Sequence, residues 1–590
     1  MCGIFGAIGK NQDSDEFKRC LDSIAHRGPD DEGVFFDGEV SLGFRRLSII
    51  DLSPKGHQPM ANEDKTIWII FNGEIYNFQE IKNELKKKHI FSSETDTETL
   101  IHGYEEWGID GLLKRINGMY AFCLYDQKKK QIFLVRDRIG KKPLYYCESG
   151  GSFYFSSETK AFLKLKNFKF EIDEEALSLW MGFPYLPDNK NTIIRNVKKL
   201  PPAHYLNFDL EKRNFRLKRY YAPGAIKTPI KTLAENVESL DKLLNDSIKK
   251  RLVADVPLGV LLSGGLDSSL ITAIASKYKP NLKTINISFP GTITDESGYA
   301  KMVSEHCKTD HISLELKADD LYRDFKENIW IFDDLSTVDG GLYSTYLLSK
   351  KIREAGIRVA LVGEGADEVF AGYTWFSFGQ LPFNLLGRLI NSFGYYYAIM
   401  RVFSYPKFIK YPLMLNRRLK RFSGSLMTRI QKNEIINSLP NHYCMKLDKG
   451  SSAMGIETRA PYLDFRLVDF ALNIPDGQKI KGAWYNGKKA NEKHILRQVA
   501  KKYLPKEIYT RKKKGGMTPT YTILEEGLKE YGAHIIKNEL FRKFFSEKEL
   551  EKLISLRSKN PMFVWQREWI LWKLMVFQVW FEYYEKYGKN

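Results

Sequence analysis

Cysteine stands at position 2 of this 590-residue sequence, and its side chain is small enough for the methionine before it to be removed. The thiol would then share a residue with a free α-amino group. That amine titrates at about 7.7–8.0 and a thiol at about 8.5, so the amine can serve as general base without a histidine. Gly3 lets the chain bend close to a substrate. Position alone is a weak signal, because exposure and thiolate stabilisation decide reactivity.

A second signal lies at Ser263-Gly-Gly-Leu-Asp-Ser-Ser269, between the apolar run Val256–Leu262 and the helical run Leu270–Tyr278. A strand, a Gly/Ser loop and a helix N-terminus make an anion cradle of backbone N–H groups, hydroxyls and the helix dipole. The Gly-Lys-Ser/Thr ending of a Walker loop is missing, and so is a GxGxxG dinucleotide fingerprint. Val362-Gly-Glu-Gly-Ala-Asp-Glu368 supplies further carboxylates.

The elements that must position these residues fall into two regimes. Short alternating runs (Thr66–Phe71, Ala121–Asp126, Gln131–Val135, Phe153–Ser156) predict antiparallel sheets with a few helices over the first 205 or so residues. Beyond the Pro/Gly/Lys stretch Ala222–Thr232, the strands Val256–Leu262, Thr284–Phe289 and Val359–Val362 alternate with helices, the rhythm of a parallel sheet. We divide the chain into residues 1–215, a linker over 216–234 and residues 235–590, since this length exceeds a single core. Trp565, Trp569, Trp572, Val576 and Trp580 lie on one helical face, expected to be buried.

Composition is that of a globular protein, with 43% hydrophobic and 28% charged residues. The net charge of +19 comes without an RNA-binding motif or dense basic tail, so no nucleic-acid partner is expected. Six scattered cysteines form no CxxC pair, which fits a reducing cytoplasm rather than a disulfide framework. No leader is evident, and the apolar stretch Phe563–Tyr584 carries Arg567, Glu568 and Lys573, so no membrane span is expected. The oligomeric state is not fixed; a homodimer is compatible.

The start Met1-Cys-Gly-Ile-Phe-Gly6, with His26-Arg-Gly-Pro-Asp30, Arg46-Leu-Ser-Ile-Ile-Asp51, Asn72-Gly-Glu-Ile-Tyr-Asn77 and Arg136-Asp-Arg-Ile-Gly-Lys-Lys-Pro-Leu-Tyr-Tyr146, resembles the class II glutamine amidotransferase domain. The resemblance implies an α+β N-terminal-nucleophile fold, a four-layer αββα sandwich. It implies that Cys2 attacks the glutamine amide and that Asn72 and Gly73 stabilise the oxyanion. Arg46, Ile49, Ile50, Glu74 and Asp96 would hold glutamine, Arg46 at its α-carboxylate and Glu74 and Asp96 at its α-ammonium.

The SGGxDS loop resembles that of the ATP pyrophosphatases. Together with Gly455-Ile-Glu-Thr-Arg-Ala-Pro-Tyr-Leu-Asp464, Lys493-His-Ile-Leu-Arg497 and Arg511-Lys-Lys-Lys-Gly515, it resembles the synthetase domain of glutamine-hydrolysing asparagine synthetases. That resemblance implies an α/β parallel-sheet domain with additional helices. Aspartate and ATP would give a β-aspartyl-adenylate that ammonia displaces, and ammonia would pass through an internal, largely apolar tunnel. By motif, Leu262, Ser263, Gly264, Gly265, Asp267, Ser268, Ile287, Val362, Gly363 and Lys513 would take ATP, and Glu364 would be the base of the ammonia step. The same resemblance implies that Asp267 and Asp367 hold Mg2+, hard donors for a hard cation. Arg459 would be a ligand contact or an ion-pair partner of Asp464.

Three departures bear on the acceptor. Val362 replaces the usual serine, Asp333-Asp-Leu335 replaces an Asp-Glu-Pro segment expected at the acceptor pocket, and Gly515-Gly516 replaces Gly-Phe. With the aromatic and basic stretch 375–422, they keep open a second acceptor, such as a sugar uronic acid in surface-polysaccharide assembly.

Overall fold

The computed structural model describes residues 1–9, 13–225, 231–288, 295–315, 321–338, 340–380, 410–482, 491–511, 520–555 and 561–588. Lys513 and most of the segment 375–422 lie outside the described residues.

The first half holds two six-stranded antiparallel sheets. One contains β1 (Gly3–Ile8), β2 (Asp31–Phe36), β3 (Val40–Arg46), β8 (Tyr145–Ser149), β9 (Ser152–Ser156) and β10 (Lys198–Lys199), in the order β10-β8-β9-β1-β3-β2. The other contains β4 (Met60–Ala61), β5 (Ile67–Ile75), β6 (Gly118–Asp126), β7 (Gln131–Arg136), β11 (His204–Asp209) and β12 (Asn214–Arg219), ordered β12-β11-β7-β6-β5-β4. Alternation puts Ile4, Val40 and Phe44 of the first sheet against Ile70, Cys123 and Leu134 of the second in one apolar layer. The opposite faces are covered by helices: Phe17 and Leu21 pack on Phe5 and Ala7, while Phe78, Ile81, Leu100 and Ile101 pack on Ile69 and Phe71.

The boundary expected at 215 falls inside β12. Its sequence Asn-Phe-Arg-Leu-Lys-Arg reads as a linker because exposed edge strands carry charge. The second half starts with the helix Leu233–Arg251, whose N-terminus is closed by a reciprocal capping box between Thr232 and Glu235.

There the sheet is parallel, ordered β15-β14-β13-β16-β17, from β13 (Leu258–Leu261), β14 (Lys283–Ser288), β15 (Asp310–Glu315), β16 (Val359–Leu361) and β17 (Glu457–Arg459). The strand order reverses between β13 and β16, and a crevice opens at the carboxyl ends of the strands at such a reversal. The SGGLDSS loop leaves the end of β13 and the Val362–Glu364 loop leaves the end of β16.

The final helix, Pro561–Tyr587, buries Trp572, Val576 and Trp580 against both halves. Trp572 Nε1 donates to Val338 O at 2.6 Å and Trp580 Nε1 to Asp333 O at 2.7 Å. Lys573 lies fully buried, donating to the carbonyls of Trp180, Met181 and Phe183, and burial lowers its pKa well below the usual lysine range. Among the described residues no helix is long and apolar enough to cross a membrane.

Candidate active sites and the interface between them

Cys2 lies just before β1, where β1 pairs with β3. It lines a cavity of about 40 Å³ with Arg46, Ile49, Ile50, Gly73, Glu74 and Asp96. Leu47 N is 3.4 Å from Cys2 Sγ, and Arg27 Nε holds Cys2 O at 3.0 Å. Burial raises the thiol pKa and pushes the Met1 amine down to about 5, so neither group carries its charge easily here.

Asn72 sits in the middle of β5, fully buried. Its amide nitrogen and oxygen find no hydrogen-bond partner among the described residues, an arrangement that costs stability unless another molecule uses it. Arg46 is shaped by the loop after β3: its guanidinium donates to Ser53 O at 3.0 Å and Asp51 O at 2.5 Å. The cavity is therefore polarised, with a guanidinium among its lining groups and the carboxyls of Glu74 and Asp96 among the others. That charge pattern suits a zwitterionic amino acid.

The second half also reaches this cavity. Glu457 lines it, and its neighbour Arg459 donates from Nε to Glu457 at 2.8 Å while Nη2 stands 3.2 Å from Glu74. Of the two roles expected for Arg459, the pairing with Asp464 is not formed, since Asp464 instead binds Arg251 at 3.2 Å and Arg466 at 2.8 Å. Burial pushes Glu74 well above the usual carboxylate range despite Arg459, whereas the hydrogen-bonded Glu457 is held low.

Burial also raises Asp96 to about 7, opposed by the Ile75 N–H that it accepts at 2.7 Å. A raised carboxyl is neutral below that pH and charged above it. We therefore expect kcat/KM for glutamine to fall as pH drops through about 7 and to level off above it. A profile taken between about pH 5.5 and 9 checks this, and a flat acid limb would contradict it.

The larger cavity, about 500 Å³, opens at the β13/β16 crevice. Leu262, Ser263, Gly265, Asp267, Ser268, Ile287, Val362, Gly363, Glu364 and Asp367 all line it. Gly264 has φ +73, and a Cβ there would come within 2.6 Å of Tyr299 Cβ and Ala300 N, so the loop needs glycine. Ser263 and Ser268 hydroxyls lie 3.0 Å apart across the loop. Glu364 stands 3.6 Å from Lys446. Burial and neighbouring Asp367 raise Glu368, also in the lining, to about 8.

Sequence reasoning missed Lys493. Its Nζ lies 2.5 Å from Asp267 Oδ2 and 2.8 Å from Asp367 Oδ1, in a smaller cavity that shares the loop. Gly372 makes room for it, because a Cβ there would lie 2.1 Å from Lys493 Cε. The signal was present in the Lys493–Arg497 motif, but spacing does not reveal two carboxylates so distant in sequence.

Asp333 and Asp334 do not line the larger cavity. Both are buried at the contact between halves: Asp333 accepts from Thr159 N at 3.1 Å, Thr159 Oγ1 at 2.9 Å and Lys160 N at 3.1 Å, and Asp334 pairs with Lys449. The helix Cys444–Ser452 lies between the larger cavity and the Arg27 side chain that holds Cys2 O. Lys446 and Leu447 face the larger one, while Asp448 pairs with Arg27 at 2.8 Å behind Cys2. The contact between the halves thus carries buried ion pairs, Arg27 with Asp448 and Arg459 with Glu74.

Residues 1–221 match the family model described as a glutamine amidotransferase domain, and residues 239–582 match that of asparagine synthase. The chain is 30% identical to asparagine synthetase [glutamine-hydrolyzing] 1 of Bacillus subtilis (strain 168), covering 98% of this chain and 96% of that protein. It is 40% identical to a putative asparagine synthetase [glutamine-hydrolyzing] 2 of Methanocaldococcus jannaschii, over 63% of this chain and 76% of the relative. Against asparagine synthetase B [glutamine-hydrolyzing] of Escherichia coli (strain K12) the identity is 30%, over 87% and 81%. With the synthase match spanning more than half of its length, the chain belongs to the asparagine synthase family.

Proposed function

We propose that the protein makes asparagine from aspartate, with glutamine as nitrogen donor and ATP as the activating substrate. The first half, an N-terminal-nucleophile sandwich, is the glutaminase, and the second is the synthetase. The observation that carries the reading is that one chain holds two lined cavities, a thiol in one and a Gly/Ser anion loop in the other, joined by β17 and the helix Cys444–Ser452.

In this reading the amine freed on Cys2 takes the thiol proton, and the sulfur adds to the glutamine amide carbon. The Asn72 amide and Gly73 N–H donate to the oxyanion, a contribution of about 3–4 kcal/mol. Collapse releases ammonia, and water then cleaves the thioester to glutamate. Arg46 pairs with the glutamine α-carboxylate, and Glu74 and Asp96 take its ammonium.

At the second cavity the aspartate side-chain carboxylate attacks the α-phosphate of ATP, releasing pyrophosphate. Ammonia, losing a proton to Glu364, then displaces AMP. The carboxylates of Asp267 and Asp367, which both stand against Lys493 Nζ, are hard oxygen donors that suit a hard divalent ion. They would hold Mg2+, which would supply neutralisation of charge on the phosphates when bound. Lys493 contributes a positive charge beside them.

Isotope exchange between pyrophosphate and ATP tests the acceptor. Aspartate is expected to support exchange at least about tenfold above glutamate or a hexuronic acid, because a site built to pair polar groups rejects a misfit strongly. Exchange with the uronic acid and none with aspartate would move the acceptor to a sugar.

A further inference from the structure

We propose that His89, His102 and Glu105 form a binding site for a borderline-soft divalent metal ion of the zinc class. The three lie in the first half: His102 and Glu105 are on the helix Asp96–Arg115, and His89 follows the helix Phe78–Leu85. None of them lines either cavity.

One ligand atom from each residue lies within 4.8 Å of the others. Glu105 Oε2 is the meeting point, 2.8 Å from His102 Nδ1 and 3.5 Å from His89 Nδ1. Two imidazoles and a carboxylate are a zinc donor set that leaves the fourth position to water. Asn62 Nδ2 fixes the carboxylate by donating to its other oxygen at 2.8 Å.

The far ring nitrogens complete the pattern. His102 Nε2 lies 3.7 Å from Glu98 Oε1 and His89 Nε2 3.7 Å from Glu106 Oε2. Both nitrogens are buried and form no hydrogen bond among the described residues. A carboxylate behind each imidazole is the arrangement that orients a ligating ring. His102 itself is 2% exposed, while the partly exposed His89 and Glu105 offer a way in.

Lys88 pairs with Glu106 on the outer side, and the rings of His89 and His102 lie tilted to one another with centroids 4.8 Å apart.

The test titrates chelator-stripped full-length protein, in Mg2+ buffer, with Zn2+ against a chromophoric competitor. One equivalent is expected to bind, weakened at least about 100-fold in His89→Ala and in His102→Gln, and about tenfold in Glu106→Gln. His89→Ala, at a partly exposed position, guards against a folding defect, with glutaminase activity as the check. Co2+ should give ligand-field bands without a thiolate charge-transfer band. Equal Zn2+ affinity in the parent and His89→Ala, or binding that disappears in Cys2→Ser, would overturn the assignment.

Discussion

Cys2→Ala is expected to lower glutamine-driven product formation by at least about 10³-fold, because no other group in its cavity can form the thioester. Ammonia-driven formation should stay within about twofold of the parent, since the synthetase cavity is lined by none of the same residues. The thiol sits with its sulfur 3.4 Å from Leu47 N, and burial raises its pKa, so reactivity depends on a base at hand. In the proposed reading, removal of Met1 would supply that base by moving the free amine onto the same residue. Intact mass of active protein should therefore begin at Cys2. An equal loss of both nitrogen routes in Cys2→Ala would show instead that the residue supports the fold or the ammonia path. Parallel assays with glutamine and ammonium chloride decide between these outcomes.

What the sequence disclosed follows a physical line. Cys2 stood out by the chemistry of its residue type and position, whereas Arg46, Asn72, Glu74 and Asp96 were reached through the resemblance of the first half's motifs; Cys2, Arg46, Glu74 and Asp96 line one cavity. The strands were legible because side-chain alternation survives in the sequence: Ile67–Ile75 and Gly118–Asp126 contain runs expected as strands. The Trp572, Val576 and Trp580 stripe was legible for the same reason at helical period.

Partners distant in sequence were not. Glu457 and Arg459 reach the glutaminase cavity from the far half, and a chain separation that large leaves no periodic or local trace. Asp464, close by in sequence, looked like the natural partner of Arg459 because proximity is all a sequence offers. Asp333 and Asp334 were expected near an acceptor pocket because they stand where the resemblance has an Asp-Glu-Pro segment, yet here they bind Thr159, Lys160 and Lys449 in the interior. Burial of such charges is tolerated because every one is paired, and breaking a pair is costly.

The largest effect in the second half is expected at Lys493. Lys493→Met should lower aspartate-dependent pyrophosphate release by about 10²–10³-fold, with glutamine or with ammonia, while the rate of glutamine hydrolysis at Cys2 persists. Its Nζ neutralises Asp267 and Asp367 at the mouth of the anion loop, the position where phosphate charge must be balanced. Lys493→Arg should not restore the rate, since the planar fork cannot occupy the space that Gly372 leaves for a methylene chain and a compact ammonium. Loss of the lysine alone leaves two partly buried like charges side by side, a repulsion that by itself could unfold the loop. The triple variant Lys493→Met, Asp267→Asn, Asp367→Asn removes that repulsion. It should fold, retain glutaminase activity and still release no pyrophosphate. Pyrophosphate release at the parent rate from the folded triple variant would show that the charge balance on the phosphates is made elsewhere.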